Sequence, residues 1–297
     1  MSGATVRVSC VVPTHGRPAE LTRAVAGICG QTLVPLETLI VDDVGDGAAA
    51  DAVSTASFRT AGVRVVEDPT DDGSAGRSRN AGARLAVGDV IAFLDDDDEW
   101  DPEYLERAVR ALEDDAVGFV VTWTRRSDGV RTVPDGAMPP GLGPSDVYGD
   151  NPGFYGSNVI FRRSVLDDVD GFDESLRVLN DLDLLVRLLE HGEAYAVVTQ
   201  AGVTRHVHAV GQLSSIATPG RRGAGYIAKH SAKFNRQNRR QLRRMDFKST
   251  LLHDASRWRR AVAAIGLALS TSPAEYWRAA SKRWRGTTIE YVSRGRN

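Results

Sequence analysis

Residues 91–100 read IAFLDDDDEW, an apolar run that passes directly into four aspartates and a tryptophan. A buried strand cannot carry four like charges into a core, because neighbouring carboxylates repel and raise one another's pKa. The strand therefore ends at Leu94, and the aspartates lie beyond its carboxyl end. Something positive must sit among them, and a divalent cation is the obvious candidate. The competing reading is a solvated acidic loop, which is what most charge runs are.

The flanking sequence decides between these readings. Residues 5–12, TVRVSCVV, are apolar and β-branched, and PTHGRP at 13–18 then breaks the strand with two prolines and a glycine. From Pro18 the apolar positions Leu21, Val25 and Ile28 fall at helical spacing. The unit repeats as a strand over 37–42 (ETLIVD), a helix over about 47–57, a strand over 63–67 (VRVVE), a helix over about 76–87 and a strand over 89–94 (DVIAFL). Such alternation predicts an α/β fold with a mostly parallel sheet flanked by helices, in which ligands bind beyond the carboxyl ends of the strands. Both VDD at 41–43 and LDDDD at 94–98 end strands, so they share one edge of the sheet.

Downstream, the spacing predicts a helix from about Asp101 to Leu112 and a strand over 117–124 (VGFVVTWT). The Gly- and Pro-rich segment 126–156 has no period and reads as a lid over an acceptor. A strand over 157–163 (SNVIFRR), a helix over 180–192 (NDLDLLVRLLEHG) and strands near 194–199 and 203–208 complete the body. The resulting division is a catalytic body over 1–215, with a nucleotide half to about 125 and an acceptor half from about 126, and a basic helical region over 216–297.

Composition bounds the rest. With 297 residues and 42% hydrophobic content the chain can bury a full core. The longest apolar candidate span, AVAAIGLALS at 261–270, is half the roughly 20 residues that cross a bilayer. The N-terminus has no apolar signal core, so the expected location is cytoplasmic. Cys10 and Cys29 match no metal or redox spacing and read as buried thiols. Residues 216–297 hold 19 of the 37 lysines and arginines against four acids, Asp246, Asp254, Glu275 and Glu290, about +15, which leaves the body about −17. A basic amphipathic tail of this kind lies on an anionic membrane surface, here the inner face, pairs with the acidic body, or forms a homodimer interface. No nucleic-acid motif accompanies its charge.

Four blocks in order carry a resemblance: VSCVVPTHGRPAELTRAVAGICGQT, LIVDD, GRSRNAGARLAVGDVIAFLDDDDEWDPEYL and GFDESLRVLNDLDLLVRLLEHG, together covering most of residues 8–192. They resemble the family 2 glycosyltransferases of GT-A fold, which are inverting, hexosyltransferase-type enzymes with a Rossmann-like sheet that use nucleotide-sugars. The resemblance implies that Asp43, with Asp42 beside it, contacts the base of a nucleotide, UDP being the expected one. It implies that Pro13, Thr14 and Arg17 wrap the nucleoside and that Arg79 lies near the base. Asp95, Asp96 and Asp97 fall on the DxD motif, with Asp96 at the ribose and Asp97 on the metal, Mn²⁺ or Mg²⁺. Asp181 matches the catalytic base. Three departures stand out: DDVG in place of DDGS, His15 and Gly16 in place of an aromatic and asparagine, and Asn180 in place of a glutamate.

Elementary chemistry agrees with these roles. A nucleoside diphosphate gains charge as the glycosidic bond breaks, and a hard cation held by carboxylates stabilises it. Mg²⁺ takes only one or two protein carboxylates, so Asp98 reads as a supporting residue. Inversion requires one base on the acceptor hydroxyl. The competing reading makes Asp43 and Asp181 helix N-caps. His206 and His208 flank Val207 on one strand face, and His208 is a further candidate metal ligand. Arg205 is a candidate phosphate partner. Trp100 reads as either a stacking surface for substrate or a packing residue, and Gly156, Ser157, Asn158 and Asn180 as a sugar or acceptor pocket. Asp173 reads as an entry turn and Asp183 as a solvent-facing helical position. The acceptor is a hydroxyl on a glycan, a lipid-linked molecule or a small molecule. A nucleotidyltransferase would need a Gly-rich basic phosphate loop that PTHGRP does not supply, and a nucleotide-sugar binding module without turnover is the non-enzyme alternative.

Overall fold

Val8–Thr14 (β1) is buried along its whole length, and its side chains alternate between two cores: Val11 faces one, while Val8, Cys10 and Val12 face the other. A computed structural model describes residues 6–69, 74–206, 223–253 and 256–270. Pro18–Cys29 (α1) follows with Pro18 in its first turn and Leu21, Ala24, Val25 and Ile28 buried on one face. Next come Glu37–Asp42 (β2), the short helices Ala48–Ala52 (α2) and Ala56–Thr60 (α3), Val63–Glu67 (β3), Ala75–Leu85 (α4) and Val90–Phe93 (β4). The single helix expected over 47–57 is thus two, because Thr55 turns the chain and caps α3 by accepting from Phe58 N.

The second half contains Glu99–Trp100 (β5), Tyr104–Ala111 (α5), Val117–Ser127 (β6), Thr132–Pro134 (β7), Pro144–Val147 (α6), Val159–Arg162 (β8), Arg163–Asp168 (α7), Asn180–His191 (α8) and Ala194–His206 (β9). Beyond the undescribed stretch 207–222 lie Ala224–His230 (α9), Arg236–His253 (α10) and Arg257–Ser270 (α11). The described strands form one sheet in the order β3-β2-β1-β4-β8-β6-β9-β5, with β7 on β6. The pairings orient six of the nine described strands one way, with β5, β7 and β8 reversed, so the sheet is mostly parallel as expected. The two strands expected near 194–199 and 203–208 are one: the register with β6 jumps from Thr122–Val198 to Thr124–Val203, so residues 199–202 bulge without ending the strand.

Helix α4 meets β1 at Gly82, where an added Cβ would overlap a Val11 methyl and come within 3.1 Å of Val41. Gly82→Ala is expected to cost about 1–3 kcal/mol through overpacking, read as a lower denaturant midpoint with unchanged slope. An unchanged midpoint would show that α4 can lift off the sheet.

The segment 126–156 is not a free lid. It is pinned to the body by Trp123 Nε1 donating to Met138 O at 3.1 Å and Leu142 N donating to Tyr195 Oη at 2.8 Å, with Met138, Val147 and Phe154 fully buried. Its apolar residues lack a period because they fill gaps in a core. The C-terminal region is likewise built into the body: Tyr226, Phe234 and Leu242 belong to the same core as α8, and Lys229 and Lys233 pair with Asp173 and Glu190 at 2.6 Å.

Candidate active site

The carboxyl ends of β1, β2 and β4 open on one cleft of about 1010 Å³. Pro13, Thr14, Arg17 and Asp43 line one end, Asp95–Asp98 the middle, and Asn180 and Asp181 at the start of α8 the far side. Every aspartate of the LDDDD run has a partner, Asp96 and Asp97 sharing one, which explains how the strand end tolerates them. Thr14 Oγ1 donates to Asp96 at 2.8 Å, and Arg17 bridges Asp96 at 2.6 Å and Asp97 at 2.7 Å. Arg79 pairs with Asp95. Asp98 lies behind the others and accepts from Ser157 Oγ at 2.6 Å and from His206 N at 3.3 Å. Burial pushes Asp96 up to about 7 against the pull of Arg17 and Thr14. Burial also raises Asp98, and the charges of Asp95 and Asp97 raise it further.

At the first end, Asp43 meets His15 Nδ1 at 2.6 Å, and burial raises its pKa against that contact. Asp43 is not a helix cap, because α2 begins beyond Gly47. Asp42 is a correction: its Oδ1 accepts from Val44 N at 3.1 Å, holding the turn after β2, and it does not line the cleft. The Arg79 guanidinium is 5% exposed and lies 5.1 Å over the Phe172 ring. Gly156 lets it approach, since a Cβ there would stand 2.7 Å from Arg79 Nη2.

Asp181 sits in the first turn of α8, one residue after Asn180, so it does not occupy the cap position. That position belongs to Leu179, whose φ of 61° is left-handed and strained for a branched side chain. The chain thus turns sharply just before Asp181. Asp181 accepts from Leu182 N at 2.8 Å and from Asn151 Nδ2 at 3.2 Å. Burial raises its pKa, partly opposed by that backbone bond and by the charges of Arg79 and Arg205. Arg205 lies 3.6 Å over the Tyr155 ring and pairs with Asp135 at 2.8 Å, on the cleft wall.

Other expectations are corrected. Trp100 is 5% exposed, stacks on Tyr104 with ring centroids 4.5 Å apart, and donates Nε1 to Ser157 O at 2.7 Å, so it packs the core and offers no face to the cleft. Gly156, Ser157 and Asn158 support the site from beneath: Ser157 holds Asp98, and Asn158 Nδ2 donates to Gly153 O at 2.9 Å. Asp183 is fully buried, not solvent-facing, because α9 folds across α8 and sets His230 Nε2 at 2.7 Å and Lys229 Nζ at 2.9 Å from it. Cys29 is partly exposed. His208 lies outside the described residues, and His206 turns its ring to Glu99 at 3.3 Å.

Sequence reasoning missed Asn151 and Tyr155, which line the cleft from within the supposed lid. The Asn-Pro-Gly turn at 151–153 was the only local signal for that approach. It also missed the far wall, formed by Ile227 of α9, Phe234 of the link that follows, and Leu242, Met245, Arg239 and Arg243 of α10. Nothing in the four blocks reports on that wall.

The donor set suits a divalent cation. Asp97 offers a hard carboxylate at the cleft, with Arg17 on one of its oxygens. Among the described residues no three His, Cys, Asp or Glu side chains converge to hold an ion. A Mg²⁺-type ion needs no such cage when a diphosphate and water complete its shell.

Residues 9–170 match the family model described as Glycosyl transferase family 2, and residues 90–277 match Glycosyl transferase family group 2. An uncharacterized glycosyltransferase of Haemophilus influenzae is 27% identical over 187 residues, 62% of each chain. The Glucosyl-dolichyl phosphate glucuronosyltransferase of Haloferax volcanii is 31% identical over 184 residues, 57% of this chain and 56% of its own. The chain therefore spans about three fifths of the length of these curated relatives. Among solved structures, Staphylococcus aureus TarS 1–349 in complex with UDP-GlcNAc superimposes with a TM-score of 0.61 at 18% identity, covering 95% of this chain and 76% of that one. Mannosyltransferase PcManGT from Pyrobaculum calidifontis, in complex with GDP-Man and Mn²⁺, gives 0.58 at 20% identity, covering 95% and 81%. At these identities the likeness establishes the fold.

Proposed function

The chain belongs to glycosyl transferase family 2, and from that premise we propose that it moves a sugar from a nucleoside-diphosphate sugar, a UDP-sugar first, to an acceptor hydroxyl with inversion. The observation that carries this is the convergence, in one cleft, of strand-end acids from β2 and β4, beside Thr14 at the end of β1, with a partly buried carboxylate at the start of α8. Asp43 and Arg79 bind the base end, and Thr14, Arg17 and Asp96 the ribose and phosphates. Asp97 would hold Mn²⁺ or Mg²⁺, and such an ion stabilises the charge that grows on the departing diphosphate. Asp181 takes the proton of the acceptor hydroxyl as the oxygen attacks the anomeric carbon from the face opposite the nucleotide. Burial supports that role, because a raised pKa makes the carboxylate a stronger base. Asn151 orients Asp181 through its hydrogen bond.

Arg17 pairs with both Asp96 and Asp97. Asp97 would share its carboxylate between Arg17 and a bound cation, and the Arg17 guanidinium would then be placed to meet phosphate oxygens. The apolar residues of the far wall favour an acceptor with an apolar portion, a lipid-linked molecule before a free sugar.

The test is a titration of the purified protein with UDP, GDP, dTDP and CDP, with and without Mn²⁺, beside Asp97→Ala. Binding of one nucleotide should require the ion and weaken at least tenfold in the variant, since one carboxylate–cation contact is lost. Equal affinity of both proteins with and without Mn²⁺ would remove Asp97 from the metal site.

A further inference from the structure

The last described helix leaves one face uncovered by the other described residues. α11 follows Ser256, whose Oγ accepts from Arg259 N at 3.4 Å, and packs on α10 through Ala263 and Gly266, the latter so close that a Cβ would stand 2.5 Å from the Phe247 ring. Its large side chains point elsewhere. Trp258, Val262, Ile265 and Leu269 are 76%, 46%, 61% and 83% exposed. At 3.6 residues per turn they fall within about 60° of one another around the helix, and Arg257 and Arg259 stand about 100° to either side of them. Scattered exposed apolar residues are ordinary; four in one stripe on a 14-residue helix are an unmet surface.

We propose that α11 docks by this stripe on an anionic lipid bilayer, lying in the plane of its surface. Three observations select that occupant. The helix is about 21 Å long, short of the roughly 30 Å of a hydrocarbon core, and no described helix is long and apolar enough to cross a membrane, so it lies on the surface. Leaving aside Lys229 and Lys233, which pair with Asp173 and Glu190, residues 236–270 contain nine lysines and arginines against two acids, Asp246 and Asp254, so the stripe sits in a field that attracts anionic headgroups. Four residues of α10 spaced one turn apart, Arg236, Arg240, Arg244 and Lys248, line a second cavity and extend that field. Arginines beside an apolar stripe can lay their stems along the acyl boundary and keep their heads among the phosphates. A second copy of this chain fits less well. Four side chains offer less than the roughly 800 Å² that each partner contributes to a standard interface, and the same positive charges would face each other.

α10, on which α11 packs, supplies Leu242, Arg243 and Met245 to the cleft. Docking therefore holds the acceptor wall beside the bilayer, where a lipid-linked acceptor presents its hydroxyl. Only this last step rests on the glycosyltransferase reading.

The experiment is sedimentation of the full chain with vesicles of phosphatidylcholine mixed with phosphatidylglycerol, against vesicles of phosphatidylcholine alone. The protein is expected to sediment with the mixed vesicles and to be released by salt. I265S/L269S should lower partition about tenfold or more, and R257Q/R259Q by about thirtyfold, with unchanged melting curves in both variants. No partition by the wild type, or equal partition by I265S/L269S, overturns the proposal. So does a vesicle-free dimer that I265S/L269S dissociates, which would make a second copy the occupant. Protection of Trp258 from acrylamide quenching without vesicles, read as the difference between wild type and W258F, would show that the chain covers its own stripe. Because binding is read without turnover, it can fail while the transferase reading stands.

Discussion

Asp181→Asn lowers kcat by about 10²–10⁴-fold and leaves nucleotide affinity unchanged, if Asp181 is the general base. The amide keeps the shape of the side chain at the start of α8 but cannot accept a proton. The proposed nucleotide contacts on Thr14, Arg17 and Asp43 lie on other elements, and Arg79 keeps its pairing with Asp95, so they survive. The pH profile supplies a second readout. Burial raises the Asp181 pKa above the usual carboxylate range, so the basic form is lost at a higher pH than for an exposed aspartate. The wild-type rate therefore rises with pH through that raised value, and the limb disappears in Asp181→Asn. Single-turnover kinetics with a UDP-sugar measure both quantities. A variant that keeps its rate and its acidic limb would move the base to another carboxylate.

Asp183→Asn is expected to destabilise the protein by about 3–5 kcal/mol, the usual cost of removing one partner from a buried charge cluster. Asp183 is fully buried and accepts from Arg187 Nε at 2.7 Å while facing His230 and Lys229 at 2.7 and 2.9 Å. Burial alone would raise its pKa, but hydrogen bonds from His230, Lys229 and Arg187 hold it well below the usual carboxylate range. The sign follows from linkage. A carboxyl with a depressed folded pKa contributes its stability above its unfolded value, near 4, and loses it as the pH falls through the folded value. The gap between wild type and variant in chemical denaturation should thus be full at neutral pH and narrow on acidification below about pH 4. A gap that does not change with pH would mean that the variant acts through packing alone. The consequence reaches the active site, because the same cluster ties α9 to the helix that carries Asp181.

The alternation of strands and helices was legible because a buried parallel strand must be apolar and its covering helices must be amphipathic, and both periods are local properties of the chain. For the same reason the position of the acids could be read. Four aspartates after Leu94 have no place but the end of a strand, and the ends of neighbouring parallel strands share an edge. The comparisons bear out the family, and the structure bears out the mostly parallel sheet.

Local pattern does not report which face of an irregular or polar residue another part of the chain will cover. Trp100 followed the acidic run and still turned into the core, because β5 pairs with β9, a hundred residues away. Asp183 carried the charge of a surface position, yet α9 buried it and supplied its cations. Asn151 and Tyr155 came from a segment with no period and reached the cleft because Met138, Val147 and Phe154 anchor that segment elsewhere. The sequence by itself determined that β2 and β4 end at the two acidic runs and that those acids gather on one edge, since periodicity and charge are short-range. Only the tertiary structure decided which donor answers each aspartate, what closes the far side of the cleft and which stripe of α11 the other described residues leave uncovered, because those depend on contacts between residues far apart in the chain.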